Sequence, residues 1–142
     1  ARVTCLGTGD IGTEFARRVR AFHPARLVGL SRSGRANGDF DEVRAVSALD
    51  AVLPETDLLF MALPSTPDTE NILNAARMAL LPAGAYVVNV GRGTAIDQDA
   101  LIAALGILRA RHWTLPSPSR CPPTIRSEGR RICCSRRTLR AI

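Results

Sequence analysis

The sequence predicts an α/β domain built on a doubly wound parallel sheet, with helices on both faces in a three-layer αβα arrangement. Three observations support this prediction. Short apolar runs alternate with helix-period segments as far as Leu105, an order that is typical of parallel sheets. The runs at residues 57–63 and 85–90 are largely apolar, as expected for strands buried on both faces. The first apolar run ends in a glycine-rich turn that opens an amphipathic helix.

The individual elements follow from local periodicity. Ile11, Phe15, Val19 and Phe22 recur on one face of the first helix, and Thr69 can cap a later helix. The predicted strands are residues 2–6, 26–30, 57–63 and 85–90. The predicted helices are residues 10–22, 41–46, 49–53, 69–80 and 97–105, of which the second is a short piece after a loop rich in Gly and Ser.

Two compositions meet near Leu105. Residues 1–105 carry 10 Arg and 12 acidic residues, a net charge of −2, whereas residues 106–142 carry 9 Arg and the single acid Glu128, a net charge of +8. The second segment shows no apolar period of a helix or a strand, so at face value it is a disordered basic tail. We therefore divide the chain into a folded domain at residues 1–105 and an Arg- and Pro-rich tail at residues 106–142.

The composition also argues against several classes of protein. No apolar run reaches the roughly 18 residues of a membrane span, and no signal segment is visible, so we expect a cytoplasmic protein without a membrane partner. Cys121, Cys133 and Cys134 lack the paired spacing of a zinc site, and Cys5 reads as a small core residue; we expect no metal. The basic tail can bind nucleic acid nonspecifically, but its only aromatic residue, Trp113, provides no stacking platform, so we expect no nucleic-acid partner.

A G-x-G-x-x-G motif occupies residues 7–12, between the first strand and the first helix, which is the context that dinucleotide binding requires. Gly7 permits a tight turn, Gly9 lets the backbone approach a pyrophosphate, and Gly12 lets the helix pack closely on the strand. Asp10 and Ile11 open the helix whose N-terminus would receive the anion. A glycine-rich turn without a ligand is the alternative.

The end of the second strand bears on the choice of cofactor. NAD-preferring domains usually carry an acidic residue there, which binds the ribose 2′-hydroxyl. This chain has Ser31, Arg32 and Ser33 instead, and Arg32 can hold a 2′-phosphate through two hydrogen bonds. The sequence therefore favours NADP(H) over NAD(H), with a solvated loop arginine as the alternative.

Three motifs follow one another along the chain and together indicate a protein family. They are LGTGDIG at residues 6–12, ALPSTPDTENILN at 62–74 and VVNVGRGTAIDQDAL at 87–101. Together they resemble the D-isomer-specific 2-hydroxyacid dehydrogenases, and look closest to the glyoxylate/hydroxypyruvate reductase branch. The resemblance covers residues 1–105 and implies a Rossmann-type NAD(P)-binding domain. It further implies an enzyme that reduces small 2-oxo acids to D-2-hydroxy acids and is a homodimer in its intact form.

The same resemblance implies roles for particular residues. Arg92 would lie at the cleft and bind the carboxylate and oxo group of the substrate, which suits a planar guanidinium; an arginine that ties down a strand end is the alternative. His23 and His112 match no motif that carries the family's catalytic histidine. The residues that would lie near the nicotinamide and its ribose are Leu63, Pro64, Thr66, Asn89, Val90 and Gly91.

Past Leu105 the resemblance ends. The family continues with segments near A-L-D-V, E-P-L-P and T-P-H, the last of which supplies the catalytic histidine, and this chain shows none of them. Read from the third base of each codon, with permissible codon choices, residues 111–123 can encode ALDVAVTEPLPA and residues 132–142 can encode DLLLTPHIAG. We therefore hypothesise a frameshift at or shortly after Leu105. The chain would then retain the cofactor loop and Arg92 but not the catalytic His and Glu, so we expect little catalysis. A non-catalytic nucleotide-binding module and, less favoured, a nucleic-acid-binding protein are the alternatives.

Overall fold

A computed structural model describes residues 1–104 and the backbone of residues 109–112. Within them, all neighbouring strands of a six-stranded sheet run parallel, in the order β3-β2-β1-β4-β5-β6. The strands are β1 (Arg2–Leu6), β2 (Arg26–Ser31), β3 (Glu42–Ala45), β4 (Leu58–Met61), β5 (Tyr86–Asn89) and β6 (Arg109–His112). The α-helices are α1 (Asp10–Arg20), α2 (Leu49–Val52), α3 (Ala75–Leu80) and α4 (Gln98–Ala104). Single 3₁₀ turns lie at Val46–Ala48, Leu53–Glu55, Pro67–Thr69 and Gly93–Ala95.

Both faces of the sheet are covered, because alternate residues of each buried strand contribute to different clusters. Leu6 and Met61 belong to the larger cluster, into which helices α2, α3 and α4 pack. Cys5 and Phe60 belong to the smaller cluster on the opposite face, where α1 lies. The predicted doubly wound, three-layer architecture is confirmed, and so is the placement of Cys5 in the core.

Helix α1 is shorter than its apolar pattern suggests. Phe15 and Val19 pack against the smaller cluster, and the Phe15 ring stacks on Phe60 with centroids 3.8 Å apart. The sequence pattern puts Ile11 and Phe22 on the same helix face as Phe15 and Val19, yet they are 60% and 84% exposed. Phe22 lies beyond the last helical residue, and Ile11 lies in the first turn at the glycine-rich loop, so neither reaches the sheet.

The short helix predicted at residues 41–46 is wrong. This segment forms strand β3, which pairs in parallel with β2 from Val28↔Glu42 to Ser31↔Ala45. The Asp41 side chain starts the pairing by accepting the Leu27 backbone N–H at 2.7 Å. Every residue of β3 is only partly buried, and so short a half-buried segment has no periodicity that separates helix from strand.

The helix predicted at residues 69–80 begins later than expected. Helix α3 starts after Asn74, whose side-chain oxygen accepts the Arg77 N–H at 3.0 Å and caps the first turn. Thr69 closes a 3₁₀ turn instead. Residues 70–74 do not join the helix, because the Leu73 N–H donates to the Ala95 carbonyl at 3.0 Å. Local sequence does not encode this long-range pairing.

A further difference lies beyond Leu105, where the sequence pattern predicted no element. The backbone of β6 pairs with the outer edge of β5, from Tyr86↔Arg109 to Asn89↔His112. Such an edge presents N–H and C=O groups that pair with any extended chain, whatever its side chains. The remainder of the predicted tail, residues 113–142, lies outside the described residues, and the disorder expected there stays a prediction.

Candidate cofactor site

Four loops follow the carboxyl ends of β2, β1, β4 and β5 and meet at one edge of the sheet. Strand order reverses between β1 and β4, and ligands of open α/β sheets bind in the crevice beside such a reversal. The glycine-rich loop follows β1, residues 62–66 follow β4, and residues 90–92 follow β5. The fold thus brings the three resembling motifs together at one edge.

The three glycines of the loop differ in what surrounds them. Gly7 has φ +105°, and a Cβ there would lie 2.5 Å from the Ala62 carbonyl oxygen, so the turn against β4 requires glycine. A Cβ on Gly12 would lie 1.9 Å from the Gly7 carbonyl oxygen, so α1 can approach β1 only without a side chain. A Cβ on Gly9 would meet no atom within 4 Å. The protein itself therefore does not require glycine at this position, whereas a ligand that approached the backbone would.

The N-terminus of α1 points out of this loop. Its first i→i−4 hydrogen bond runs from the Thr13 N–H to the Gly9 carbonyl at 2.8 Å, so the N–H groups of Asp10, Ile11 and Gly12 precede the intrahelical pattern. No side chain caps the helix at Gly9. These donors and the helix dipole favour an anion such as a pyrophosphate.

The Cys5 side chain contacts the backbone of the glycine loop, a role that the sequence did not indicate. Its thiol donates to the Gly7 carbonyl at 3.3 Å and contacts the Gly12 carbonyl at 3.8 Å. Burial raises the pKa of Cys5 to about 12, so the thiol keeps its proton near neutral pH and remains a donor. The residue type suggested only a small apolar filler at this position.

The segment after β2 forms a tight turn. The Ser31 hydroxyl accepts the Gly34 N–H at 3.0 Å, and the Ser33 hydroxyl accepts the Arg35 N–H at 3.4 Å. Arg32 projects into solvent before the turn. A crevice of about 400 Å³ opens beside this segment, and its lining residues are Thr8, Ser31, Ser33, Arg35, Ala36 and Asn37. Arg32 is not among them, and Arg35 is a residue that the sequence analysis did not single out.

The loops after β4 and β5 are in direct contact. A Cβ on Gly91 would lie 2.5 Å from the Leu63 carbonyl oxygen, so only glycine allows this approach. The Ser65 and Thr94 hydroxyls lie 3.2 Å apart and link the loops a second time. On the β4 side, the Thr69 hydroxyl donates to the Pro64 carbonyl at 2.6 Å, and Thr66 joins Thr69 in a capping box. The nicotinamide-side residues implied by the resemblance therefore lie in two loops that contact each other, and the Val90 N–H donates to the Met61 carbonyl at 2.9 Å.

Asn89 fixes the backbone beside Arg92. Its side chain is fully buried; Oδ1 accepts the Gly91 N–H at 2.9 Å and Nδ2 donates to the Arg92 carbonyl at 3.0 Å. Asn89 therefore acts within its own loop, and a direct contact with a nicotinamide ring stays a prediction. Arg92 is exposed, and no ion pair to its guanidinium is found within residues 1–104. The Arg92 guanidinium is thus available to the carboxylate of a bound ligand.

His23 lies away from this edge. It follows α1 with φ +48° and is exposed, close to the start of β2 and hence at the amino ends of the strands. His112 belongs to β6, whose side chains are outside the described part of the molecule. In residues 1–104, no group of three or more His, Cys, Asp or Glu side chains is arranged to hold a metal ion. The helices in the same part are too short or too polar to cross a bilayer.

The comparisons with known proteins agree with this arrangement. Residues 1–115 match the family model for the NAD binding domain of D-isomer specific 2-hydroxyacid dehydrogenases. The glyoxylate reductase of Pyrococcus furiosus is 34% identical over 100 residues, which cover 70% of this chain and 30% of that protein. The chain therefore spans a little under a third of the length of such relatives.

Solved structures show the same likeness in three dimensions. An NADPH-dependent glyoxylate/hydroxypyruvate reductase from Sinorhizobium meliloti, in complex with NADP and sulfate, is 31% identical with a TM-score of 0.77, over 87% of this chain and 41% of that one. A D-isomer specific 2-hydroxyacid dehydrogenase from Xanthobacter autotrophicus, in complex with NADPH and MES, is 34% identical with a TM-score of 0.74, over 87% and 40% of the two chains.

Proposed function

We propose that this chain, which belongs to the D-isomer specific 2-hydroxyacid dehydrogenase family as its NAD-binding domain, is the cofactor-binding part of an enzyme that reduces small 2-oxo acids to D-2-hydroxy acids. Glyoxylate and hydroxypyruvate are the favoured substrates, because relatives and neighbours carry those names. The intact enzyme works in the cytoplasm as a homodimer. The observation that carries the proposal is one edge of the sheet, where the glycine loop lies near Arg92, an arginine without an ion-pair partner within residues 1–104.

The glycine loop fits a dinucleotide. Gly9 leaves open space above the backbone, and the first N–H groups of α1 lie beside that space. A pyrophosphate placed there would receive hydrogen bonds from the helix N-terminus, and no side chain would have to move aside. The exposed Ile11 side chain beside the loop offers only apolar contact, so the anion would be held by backbone N–H groups.

Arg92 is proposed to bind the 2-oxo acid. Its guanidinium can hold the substrate carboxylate through two hydrogen bonds and stabilise negative charge that develops on the adjacent carbonyl oxygen. Asn89 and Gly91 fix the backbone from which this side chain extends, so only the side chain would have to become ordered on binding. When bound, the reduced nicotinamide supplies the hydride.

NADP(H) is the favoured cofactor. Strand β2 ends at Ser31 and not at a carboxylate, so the group that selects a 2′-hydroxyl and repels a 2′-phosphate is missing. Three of the similar solved structures are complexes with NADPH or NADP. We expect this chain to bind NADPH more tightly than NADH.

The 142-residue chain by itself is proposed to catalyse little reduction. The reaction needs a proton donor at the carbonyl oxygen, and the histidine within residues 1–104, His23, lies at the opposite edge of the sheet. A nucleotide-binding module without chemistry remains the alternative description of the isolated chain.

Two measurements on the purified chain test these proposals. Nicotinamide fluorescence reports NADPH and NADH binding, and the loss of NADPH absorbance with glyoxylate or hydroxypyruvate reports turnover. We expect saturable NADPH binding with turnover at the background rate. Absence of binding to either cofactor would overturn the dinucleotide function, and reduction well above background would overturn the proposed lack of catalysis.

Substrate binding is tested separately with oxalate, an unreactive dicarboxylate that resembles a 2-oxo acid. Oxalate should quench the fluorescence of NADPH bound to the chain, and Arg92→Gln should abolish the quenching while the NADPH affinity stays unchanged. Quenching that persists in Arg92→Gln would remove Arg92 from the proposed substrate site.

A further inference from the structure

We propose that Asn37 is a site of spontaneous deamidation, and that the carboxylate formed there weakens cofactor binding. The second part rests on the proposed cofactor function, whereas the first part does not. Asn37 lies in the loop between β2 and β3 and is followed by Gly38. The other asparagines of the chain are followed by residues that carry a side chain: Asn71 by Ile72, Asn74 by Ala75 and Asn89 by Val90.

Deamidation of an asparagine is an intramolecular substitution in which the next backbone nitrogen is the nucleophile. The Gly38 nitrogen loses its proton and attacks Cγ of Asn37. The N–Cγ bond forms, the Cγ–Nδ2 bond breaks, and Nδ2 leaves with that proton as ammonia. Water then adds to either carbonyl carbon of the imide ring and opens it. The product at position 37 is aspartate or its isomer isoaspartate, and no oxidant or reductant takes part.

The turn at residues 37–40 leaves this nucleophile accessible. Gly38 is exposed, and a Cβ built there would meet no atom within 4 Å. Within residues 1–104, no hydrogen bond engages the Gly38 N–H. The Asp39 N–H donates to the Asn37 side-chain oxygen and the Phe40 N–H to the Asn37 carbonyl, both at 3.1 Å. The Asp39 N–H therefore stands where negative charge develops on the amide oxygen during the attack, which favours the reaction.

The nitrogen that leaves is the one that links this loop to the glycine loop. Asn37 Nδ2 donates to the Thr13 hydroxyl at 3.1 Å, and that hydroxyl donates to the Thr8 carbonyl at 3.2 Å. The bond to Thr13 restrains the amide, so it slows the reaction in the folded chain. A carboxylate oxygen in place of Nδ2 has no proton to donate to Thr13, and the link is then broken.

The product also changes the charge of the crevice beside the glycine loop. Asn37 and Thr8 line this crevice, and in the described part of the chain Arg35 is the one charged residue that lines it. The nearby Asp39 is paired with Arg17 at 3.1 Å. A carboxylate at position 37 would offset the positive charge of the crevice and weaken its attraction for an anionic dinucleotide.

Peptide mass spectrometry tests the modification on the full 142-residue chain. The protein is incubated at mildly alkaline pH, and brief trypsin digestion releases residues 36–44, in which Asn37 is the only asparagine. A sample taken at time zero corrects for conversion during digestion. The unmodified peptide should disappear with time, whereas the peptide that contains Asn71 and Asn74 should persist.

Two variants show whether the local structure controls the reaction. Gly38→Ala is the matched control, because Gly38 has no positive φ and its Cβ has free space; this variant should fold and keep peptide 36–44 unmodified. Thr13→Val removes the hydroxyl that restrains the Asn37 amide, so it should convert faster than the wild type. Circular dichroism checks that each variant is folded.

Asn37→Asp provides the aspartate product in homogeneous form for binding. Fluorescence titration should give an NADPH affinity about 2- to 5-fold below that of the wild type, the size of an exposed charge interaction. The difference should shrink at high salt, because salt screens exposed charges.

The proposed modification is overturned if Asn37 persists as long as Asn71, if Gly38→Ala converts as fast as the wild type, or if Thr13→Val brings no acceleration. Wild-type NADPH affinity in Asn37→Asp would overturn the effect on cofactor binding. A wild-type chain that binds no NADPH would overturn the proposed function together with that effect, and the peptide masses would still decide whether Asn37 deamidates.

Discussion

Gly9→Ala should separate cofactor binding from folding. Gly9 has φ −72° and ψ −167°, an extended conformation that alanine adopts freely, and its Cβ would meet no atom within 4 Å. Alanine restricts the unfolded chain, which stabilises a compatible site by about 0.4–1 kcal/mol. It is also a poorer helix N-cap than glycine, at a cost of a similar size. The two effects oppose each other, so we expect the free energy of unfolding to change by less than about 1 kcal/mol.

The same methyl group should weaken dinucleotide binding strongly, because it occupies the space through which a pyrophosphate reaches the helix N-terminus. Loss of one hydrogen bond to a charged group costs about 1.5–3 kcal/mol, which corresponds to roughly 10- to 100-fold in the dissociation constant. Fluorescence titration with NADPH measures this loss, and urea unfolding followed by circular dichroism measures stability on the same preparation.

Gly12→Ala is the matched control. Its Cβ would lie 1.9 Å from the Gly7 carbonyl oxygen, so the helix must shift, and overpacking of this kind costs about 1–3 kcal/mol. That variant should lose stability and cofactor affinity together. Wild-type NADPH affinity in Gly9→Ala would refute the reasoning, because the open space above Gly9 would then not be where the ligand lies.

Three other predictions concern the β5 loop, the loop thiol and the coding frame. Asn89→Ala leaves the Gly91 N–H and the Arg92 carbonyl without their partner, so the free energy of unfolding should fall by about 1–3 kcal/mol; urea unfolding checks this. Asn89→Asp should lower it further, because a fully buried carboxylate would face the Arg92 carbonyl oxygen. The raised pKa of Cys5, about 12, should keep its thiol protonated as pH rises past the ordinary value of about 8.5. Peptide mass spectrometry should therefore show much slower iodoacetamide labelling of Cys5 at pH 9 in the native chain than in urea, and equal rates would contradict the buried thiol. Sequencing the coding DNA for residues 100–142 should reveal A-L-D-V, E-P-L-P and T-P-H in one alternate frame; their absence there would end the frameshift hypothesis.

Local sequence was sufficient for much of the fold and for the central part of the site. Buried parallel strands need continuous apolar runs, and those runs marked β4 and β5 directly. The glycine loop was recognisable because Gly7 and Gly12 occupy positions where a side chain would clash, while Gly9 leaves open space above the backbone. The last predicted helix begins at Asp97, one residue before the observed start of α4 at Gln98. The Asp97 side chain accepts the Ala100 N–H at 3.1 Å.

Other features depended on contacts between distant parts of the chain. Strand β3 exists because β2 offers it a pairing edge, and helix α3 begins late because Leu73 pairs with Ala95. Arg35 lines the crevice beside β2, in a segment where Gly34 packs against β3 with φ +65°, and no spacing rule within the segment predicts this.

The sequence by itself determined which residue types stand at the carboxyl ends of the strands, and hence the kind of ligand that this edge can bind. Tertiary structure decided how those residues are used. Gly7 meets Ala62 and Gly91 meets Leu63 only after the strands are ordered side by side. The reason is physical: turn and helix chemistry act over a few neighbouring residues, whereas close approach of two backbones is a property of the assembled sheet, which no local pattern contains.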